Sequence, residues 1–192
     1  MVAAAVILDP KKQIRGLDDS KKLEPARRET LAQRIRERAV AVSVAAVDAA
    51  WLDRVNVYQA SRIAMEQAVQ ALSPNADYLL VDAMRLGLTI PQRALIHGDA
   101  RSRSIAAASI IAKVERDAWM QVWAETYPGY GLASNKGYGA PEHLDGLRRL
   151  GPTPQHRRSF SPVAAAERVA WPQPAAAQAQ QRELFAVGAA AD

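Results

Sequence analysis

Two carboxylates in this 192-residue chain stand at positions where a sequence can be asked for chemistry. Asp82 directly ends the apolar run "YLLV", and Asp99 lies in "IHGDARSRS". The C-terminal ends of strands are where open α/β sheets collect ligands, so a carboxylate there points into a crevice. Asp82 would equally serve as a turn residue bonding its own backbone, and Asp99 as a helix-capping or loop residue. Two carboxylates beside a basic groove suit Mg²⁺ or Mn²⁺, which favour carboxylate oxygen. Other chemistries have little material. There is no cysteine, which excludes disulfides and thiolate metal sites, and only three histidines (His97, His143, His156) could serve a nucleophilic triad. No glycine-rich loop of the phosphate-cradling kind occurs.

Two further segments carry groups suited to a polyanion. "SNKGYGAPEH" places Lys136, Tyr138 and His143 around two glycines. Glycine lets a backbone approach a ligand closely, and an exposed tyrosine stacks on a sugar or base; an ordinary turn with a packed tyrosine reads the same way. "DDSKK", residues 18–22, is either a phosphate-contacting loop or a solvated charge run. The net charge is +5, and residues 1–163 alone hold 23 basic and 17 acidic side chains. Such a body fits a phosphate-bearing partner, because Lys and Arg displace its counterions. The absence of cysteine, of a long apolar run and of a basic leader leads us to expect a cytoplasmic protein without membrane attachment.

These residues need elements to hold them. Residues 2–8, 39–47 and 78–81 read as strands, with a weaker one at 93–96. Helical patterns lie between them. One begins near Pro25 with Leu31 and Ile35, and another follows the N-cap Asn56 and repeats Val57, Ala60, Ala64, Ala68, Leu72. The longest runs over about residues 104–126; its first half, "IAAASIIA", is apolar all round and must be buried. A last helix, residues 141–150, opens with proline and is followed by Gly151. Strands alternating with helices make a layered α/β domain, here 1–163. From Ala164 the composition turns to Ala, Gln and Pro, which reads as a flexible tail over 164–192.

In order along the chain, "DDSKKL", "NVYQASRIAMEQAV", "LLVDA", "GDARSRSIAAASIIAKVERD", "YPGYGLASNKGYGAPEH" and "GPTPQHRRSFSPV" closely resemble the ribonuclease HII family. The resemblance implies an RNase H-like mixed sheet flanked by helices, with a C-terminal helical part that grips a duplex. It implies cleavage of RNA in RNA/DNA hybrids and nicking of duplex DNA at embedded ribonucleotides, by a monomer using Mn²⁺ or Mg²⁺ held on four carboxylates. By motif, Asp82 and Asp99 match two of those four catalytic, metal-binding acids. Tyr138 matches the tyrosine that meets the nucleic acid, with Lys136, Ser20, Lys21, Arg157 and Ser159 as weaker candidates for backbone contacts.

The chain departs from the family at its start. A first strand carrying Gly-x-Asp-Glu-Ala-Gly-Arg-Gly, source of the other two carboxylates, is not in this sequence, whose run "VAAAVILDP" normally follows it. We therefore expect a start assigned at an internal GTG valine codon, exposed backbone and core surface beside the absent strand, and little or no activity from these 192 residues alone. A catalytically silent nucleic-acid-binding remnant is the alternative; an RNase H-like transposase or Holliday-junction nuclease fits less well, since neither would carry "NKGYG" and "HRRSF". In the tail, "QRELF" resembles a sliding-clamp peptide through Gln181, Leu184 and Phe185, and an accidental pentapeptide is the competing reading.

Overall fold

The structure is a computed structural model that describes residues 1–166. Strand β1 (Val2–Ile7) pairs antiparallel with β2 (Ala41–Ala46), in a register running from Val2 opposite Ala46 to Ile7 opposite Ala41. The connection holds α1 (Pro25–Arg38), which opens on proline, a residue whose fixed φ suits a first helical turn. Both faces of β2 are covered, for different reasons. Val42 and Val44 pack with Leu31, Ile35, Ile110 and Ile111 in the largest apolar cluster. Ala41, Ser43 and Ala45 are buried on the other face, where their small side chains admit a helix closely.

That helix is α3 (Val57–Gln70), preceded by the short α2 (Ala49–Val55). Ala60, Ala64 and Ala68 are all fully buried along it, and the Ser43 hydroxyl donates to the Ala68 carbonyl at 2.5 Å. The alanine stripe read from the sequence is thus the face that meets the sheet. Asp48 and Asn56 cap α2 and α3 by accepting from the Trp51 and Gln59 amides. Helix α2 itself lacks an apolar period and escaped the sequence reading.

Strands β3 (Leu79–Asp82) and β4 (Gln92–Leu95) pair in parallel, Asp82 opposite Leu95. A single turn, α4 (Gly98–Arg101), leads into α5 (Arg103–Thr126), capped by Ser102. The first half, expected to be buried all round, is buried at Ile105, Ala106, Ala107, Ile110 and Ile111, whereas Ala108, Ser109 and Ala112 are half-buried. The expected mixed sheet takes a particular form. Among the described residues β1 pairs only with β2 and β3 only with β4, and a slot of about 690 Å³ separates the two pairs. All of β1 and β3 line it, with Met65 and Val69 from α3, Leu72 just past its end, and Ala108 and Ala112 from α5.

The C-terminal part comprises α6 (Leu132–Asn135), α7 (Pro141–Leu150) and α8 (Ser161–Ala166) around Tyr127, Tyr130, Leu147 and Val163. Helix α8 carries the packed chain to Ala166, past the boundary read at Val163, because Val163 and Ala166 give it a buried face. Gly151, at φ 76°, ends α7 in the left-handed region as its place in the sequence suggests. Among the described residues no helix is long and apolar enough to cross a membrane.

A histidine pair is sealed into this part. The rings of His143 and His156 stack at 5.2 Å, and His156 Nδ1 accepts from the Thr153 amide at 3.0 Å. The proton therefore sits on Nε2, which is buried without a hydrogen-bond partner. Burial first, then the charges of His143 and Arg158, push the His156 pKa down to about 4, against a raising contribution from Thr153. The unfolded chain thus binds the extra proton between about pH 6.5 and 4, so stability is full above that window and falls through it as pH drops. Urea midpoints should decline over this range by the equivalent of about 3 kcal/mol at most, and His156→Asn should flatten that part of the profile.

Candidate active site

Asp82 ends β3, and its Oδ1 accepts the Gly98 amide at 2.9 Å. The bond spans 16 residues, so Asp82 is not a turn aspartate serving its own backbone. It ties the end of β3 to the turn that carries Asp99, one residue on from Gly98. The approach requires glycine: a Cβ at position 98 would lie 2.6 Å from Ile105 Cδ1 and 3.0 Å from Asp82 Oδ1. Asp99 does act on its own loop, since its Oδ1 accepts the Ala100 amide at 2.9 Å. Among the described residues neither carboxylate has a cationic partner, and the Oδ2 of each carries no hydrogen bond. Asp82 and Asp99 are thus two unpaired acids whose segments meet at the Gly98 amide.

The backbone around these positions is held in a sparsely populated region. Ala83, His97 and Lys136 have φ of 56°, 53° and 51°, and they flank Asp82, the Gly98–Asp99 turn and the Tyr138 segment. Non-glycine residues there cost of order 1 kcal/mol or more and cluster at functional sites. Sequence reasoning missed this signal, because no residue type announces it.

Tyr138 is 63% exposed, as a stacking residue must be. Beneath it stand Arg116, with its guanidinium 5.2 Å from the ring centre, and Lys113 at 6.0 Å. Neither cation was singled out from the sequence; both lie in "AKVERD", at positions that α5 turns to the same side. Lys136 contributes less openly: its Nζ donates to the Ala133 carbonyl at 2.6 Å, and its own carbonyl accepts from Arg116 at 2.9 Å. His143 does not join this group. It is buried, within 3.2 Å of the Tyr130 carbonyl, and belongs to the C-terminal core.

The remaining candidates divide. Lys21 projects to solvent from a turn that Asp19 builds by accepting its amide at 2.9 Å. Ser20 is buried, and its carbonyl, not its hydroxyl, is engaged, by Arg28 at 2.6 Å. Arg157 lies with its guanidinium 5.6 Å from the Phe160 ring. Its charge and that of Arg116 reach the Met1 ammonium, which donates to the Val47 carbonyl. Burial foremost, with those two arginines, lowers that group's pKa to about 6 although Asp48 opposes them. Asp82 lines the β3 wall of the slot. Ser159 donates its hydroxyl to Asp53 at 2.5 Å, and the Arg158 amide donates to the same carboxylate at 2.5 Å. Desolvation would raise the Asp53 pKa, but these bonds and the Arg157 charge bring it below the usual carboxylate value. Gln181, Leu184 and Phe185 lie outside the described residues.

As to a metal, Asp82 and Asp99 offer the right oxygen chemistry. They are too few: among the described residues no three His, Cys, Asp or Glu side chains come together to hold an ion.

Comparison with known proteins decides the family. The Ribonuclease HII family model matches residues 1–163. The chain belongs to the ribonuclease HII family. It is 61% identical over 166 residues to the ribonuclease HII of Solibacter usitatus, covering 86% of this chain and 73% of that protein. It is 58% identical to that of Koribacter versatilis and 56% to that of Geobacillus thermodenitrificans, spanning 64% of the length of each. A crystal structure of the ribonuclease H2 from Pyrococcus horikoshii superposes with a TM-score of 0.72 at 22% identity, over 88% of this chain and 98% of that one. At that identity the likeness concerns the fold, which is thereby that of ribonuclease H2.

The Asp53 contacts yield a test. Asp53→Ala should release residues 157–160, seen as amide exchange at Arg158 and Ser159 at least about tenfold faster, the equivalent of one charge-assisted hydrogen bond.

Proposed function

We propose that this chain supplies the greater part of a metal-dependent endonuclease that hydrolyses RNA in RNA/DNA hybrids and nicks duplex DNA 5′ to embedded ribonucleotides, leaving 3′-hydroxyl and 5′-phosphate ends. The observation that carries the reading is the Asp82–Gly98 bond, which holds Asp82 one residue away from Asp99 with an oxygen of each left over. The open slot beside Asp82 supports a second element of it. A further strand between β1 and β3 would join the two pairs into one sheet and bring the missing carboxylates to the same place.

The chain's own residues would then divide the work. Arg116, Lys113 and Lys21 neutralise phosphates and bring the duplex to the site. Tyr138 stacks against the strand beside the scissile position, its ring backed by two cations. Asp82 and Asp99 present oxygens to Mn²⁺ or Mg²⁺ together with the carboxylates of the further strand; such an ion, when bound, acidifies the attacking water and neutralises the developing charge. The rest is positioning of the reacting phosphate. The protein would work in the cytoplasm as a monomer, with Gln181, Leu184 and Phe185 as a tether to a sliding clamp.

A second reading has its own support. With only two carboxylates assembled among the described residues, these 192 residues by themselves would bind nucleic acid without cutting it.

One assay separates the readings. The 192-residue chain, and a form with a Gly-x-Asp-Glu-Ala-Gly-Arg-Gly strand joined before Met1, are incubated with Mn²⁺ and a duplex holding one ribonucleotide. Nicking by the extended form alone is expected, reduced at least about a hundredfold by Asp82→Asn or Asp99→Asn. Binding without nicking by both forms would establish the silent reading, and failure of both to bind would overturn the nucleic-acid assignment altogether.

A further inference from the structure

Outside the Asp82–Asp99 pair, one carboxylate gathers three cations. Asp117, on α5, lies 2.7 Å from Lys113 Nζ, 3.5 Å from Arg28 Nη2 and 4.0 Å from Arg116 Nη1. Each of these cations is engaged a second time. Arg28 is buried, and its Nη1 donates to the carbonyls of Ser20 at 2.6 Å and Leu23 at 3.0 Å, so it fixes the loop that presents Lys21. Arg116 donates to the Lys136 carbonyl at 2.9 Å and backs the Tyr138 ring, and Lys113 faces the same ring. A continuous path of ion pairs and hydrogen bonds thus joins two exposed groups, Lys21 and Tyr138, that are more than a hundred residues apart in the chain.

We propose that Asp117 is a positioning residue that sets the distance between the Lys21 loop and the Tyr138 platform, so that one nucleic-acid strand is gripped at both. The inference rests on the reading that Lys21 and Tyr138 meet the nucleic acid. The charge arithmetic favours it. Three cations packed together repel one another, and one carboxylate among them relieves that repulsion while leaving a net +2 for phosphates. An asparagine at 117 keeps the shape and loses the relief. Lys113 and Arg116 would then swing away from Tyr138, and Arg28 would lose its anchor to α5.

The test is binding alone, by fluorescence anisotropy of a duplex with one ribonucleotide, in EDTA, with the full 192-residue chain. Asp117→Asn is expected to weaken binding about tenfold and to flatten the dependence of log affinity on log salt by about one, as when a phosphate contact is lost. Asp117→Glu should restore part of both. Lys21→Ala and Tyr138→Ala should be non-additive in the wild-type background and additive beside Asp117→Asn, a readout that a merely structural role would not move. Should Asp117→Asn fail to fold by circular dichroism, Arg28→Lys replaces it: the charge stays, the fork to Ser20 and Leu23 goes, and the same weakening and additivity are expected. Affinity within twofold of wild type and an unchanged salt slope, in a folded variant, overturn the inference while leaving the nucleic-acid reading intact. Failure of the wild-type chain to bind, or indifference to Tyr138→Ala, overturns that reading and the inference with it.

Discussion

A single hydrogen bond, from the Gly98 amide to Asp82 Oδ1, governs how the candidate chemistry is assembled. It joins the end of one strand to the turn after its neighbour, so the parallel pairing of β3 with β4 becomes a device for placing Asp99 next to Asp82. The bond exists because position 98 has no Cβ, and because His97 takes up a left-handed conformation ahead of it. It also constrains one carboxylate oxygen and leaves the other outward. Position and backbone conformation therefore converge on one turn of chain.

The electrostatic arrangement around this turn is uneven, and the unevenness has a purpose. Asp82 and Asp99 are left without cationic partners among the described residues, whereas Asp117, a few turns along α5, is surrounded by three. Ion pairs near a surface add little stability on average, so the crowding at Asp117 is better understood as ordering the arginine and lysine side chains than as holding the fold together. Arg116 donates to the Lys136 carbonyl and lies 4.0 Å from Asp117, so part of its rotamer freedom is spent before any ligand arrives. That ordering lowers the entropy a bound phosphate would otherwise have to overcome.

How much of this could be read from residues alone varied with the kind of signal. Helices α1, α3, α5 and α7 were legible because each carries a period and a boundary residue: Pro25, Asn56, the apolar run before Lys113, and the Pro141–Gly151 bracket. Helices α2, α4 and α6 were not, since four to seven residues are too few for a period and their caps are shared with neighbouring turns. The two candidate acids were singled out by position, Asp82 at a strand end and Asp99 before a buried helix, and the bond that links their segments was not legible there. Lys113, Arg116, Arg28 and Asp117 were not singled out, because their importance lies in contacts between segments far apart in sequence. Nor could residue type show that Ser20, in a charged loop, is buried with its carbonyl accepting from Arg28. His143 likewise looked like part of a binding turn, and its stacking on His156 takes it into the core.

The slot between β1 and β3 connects the fold to the site energetically. Its walls are a strand of small and branched apolar residues on one side, Leu79 and Val81 on the other, and helix faces above and below. Left open, it forgoes the burial of those surfaces and leaves one side of β1 and of β3 to bond with water instead of with each other. The cluster around Ile35, Ile110 and Ile111 also takes in Ala4, Val6 and Leu8, so β1 packs against it as well as lining the slot. Filling the slot with a strand would gain two rows of hydrogen bonds and an apolar layer in one step, and the same step would fix the β3 end on which Asp82 stands.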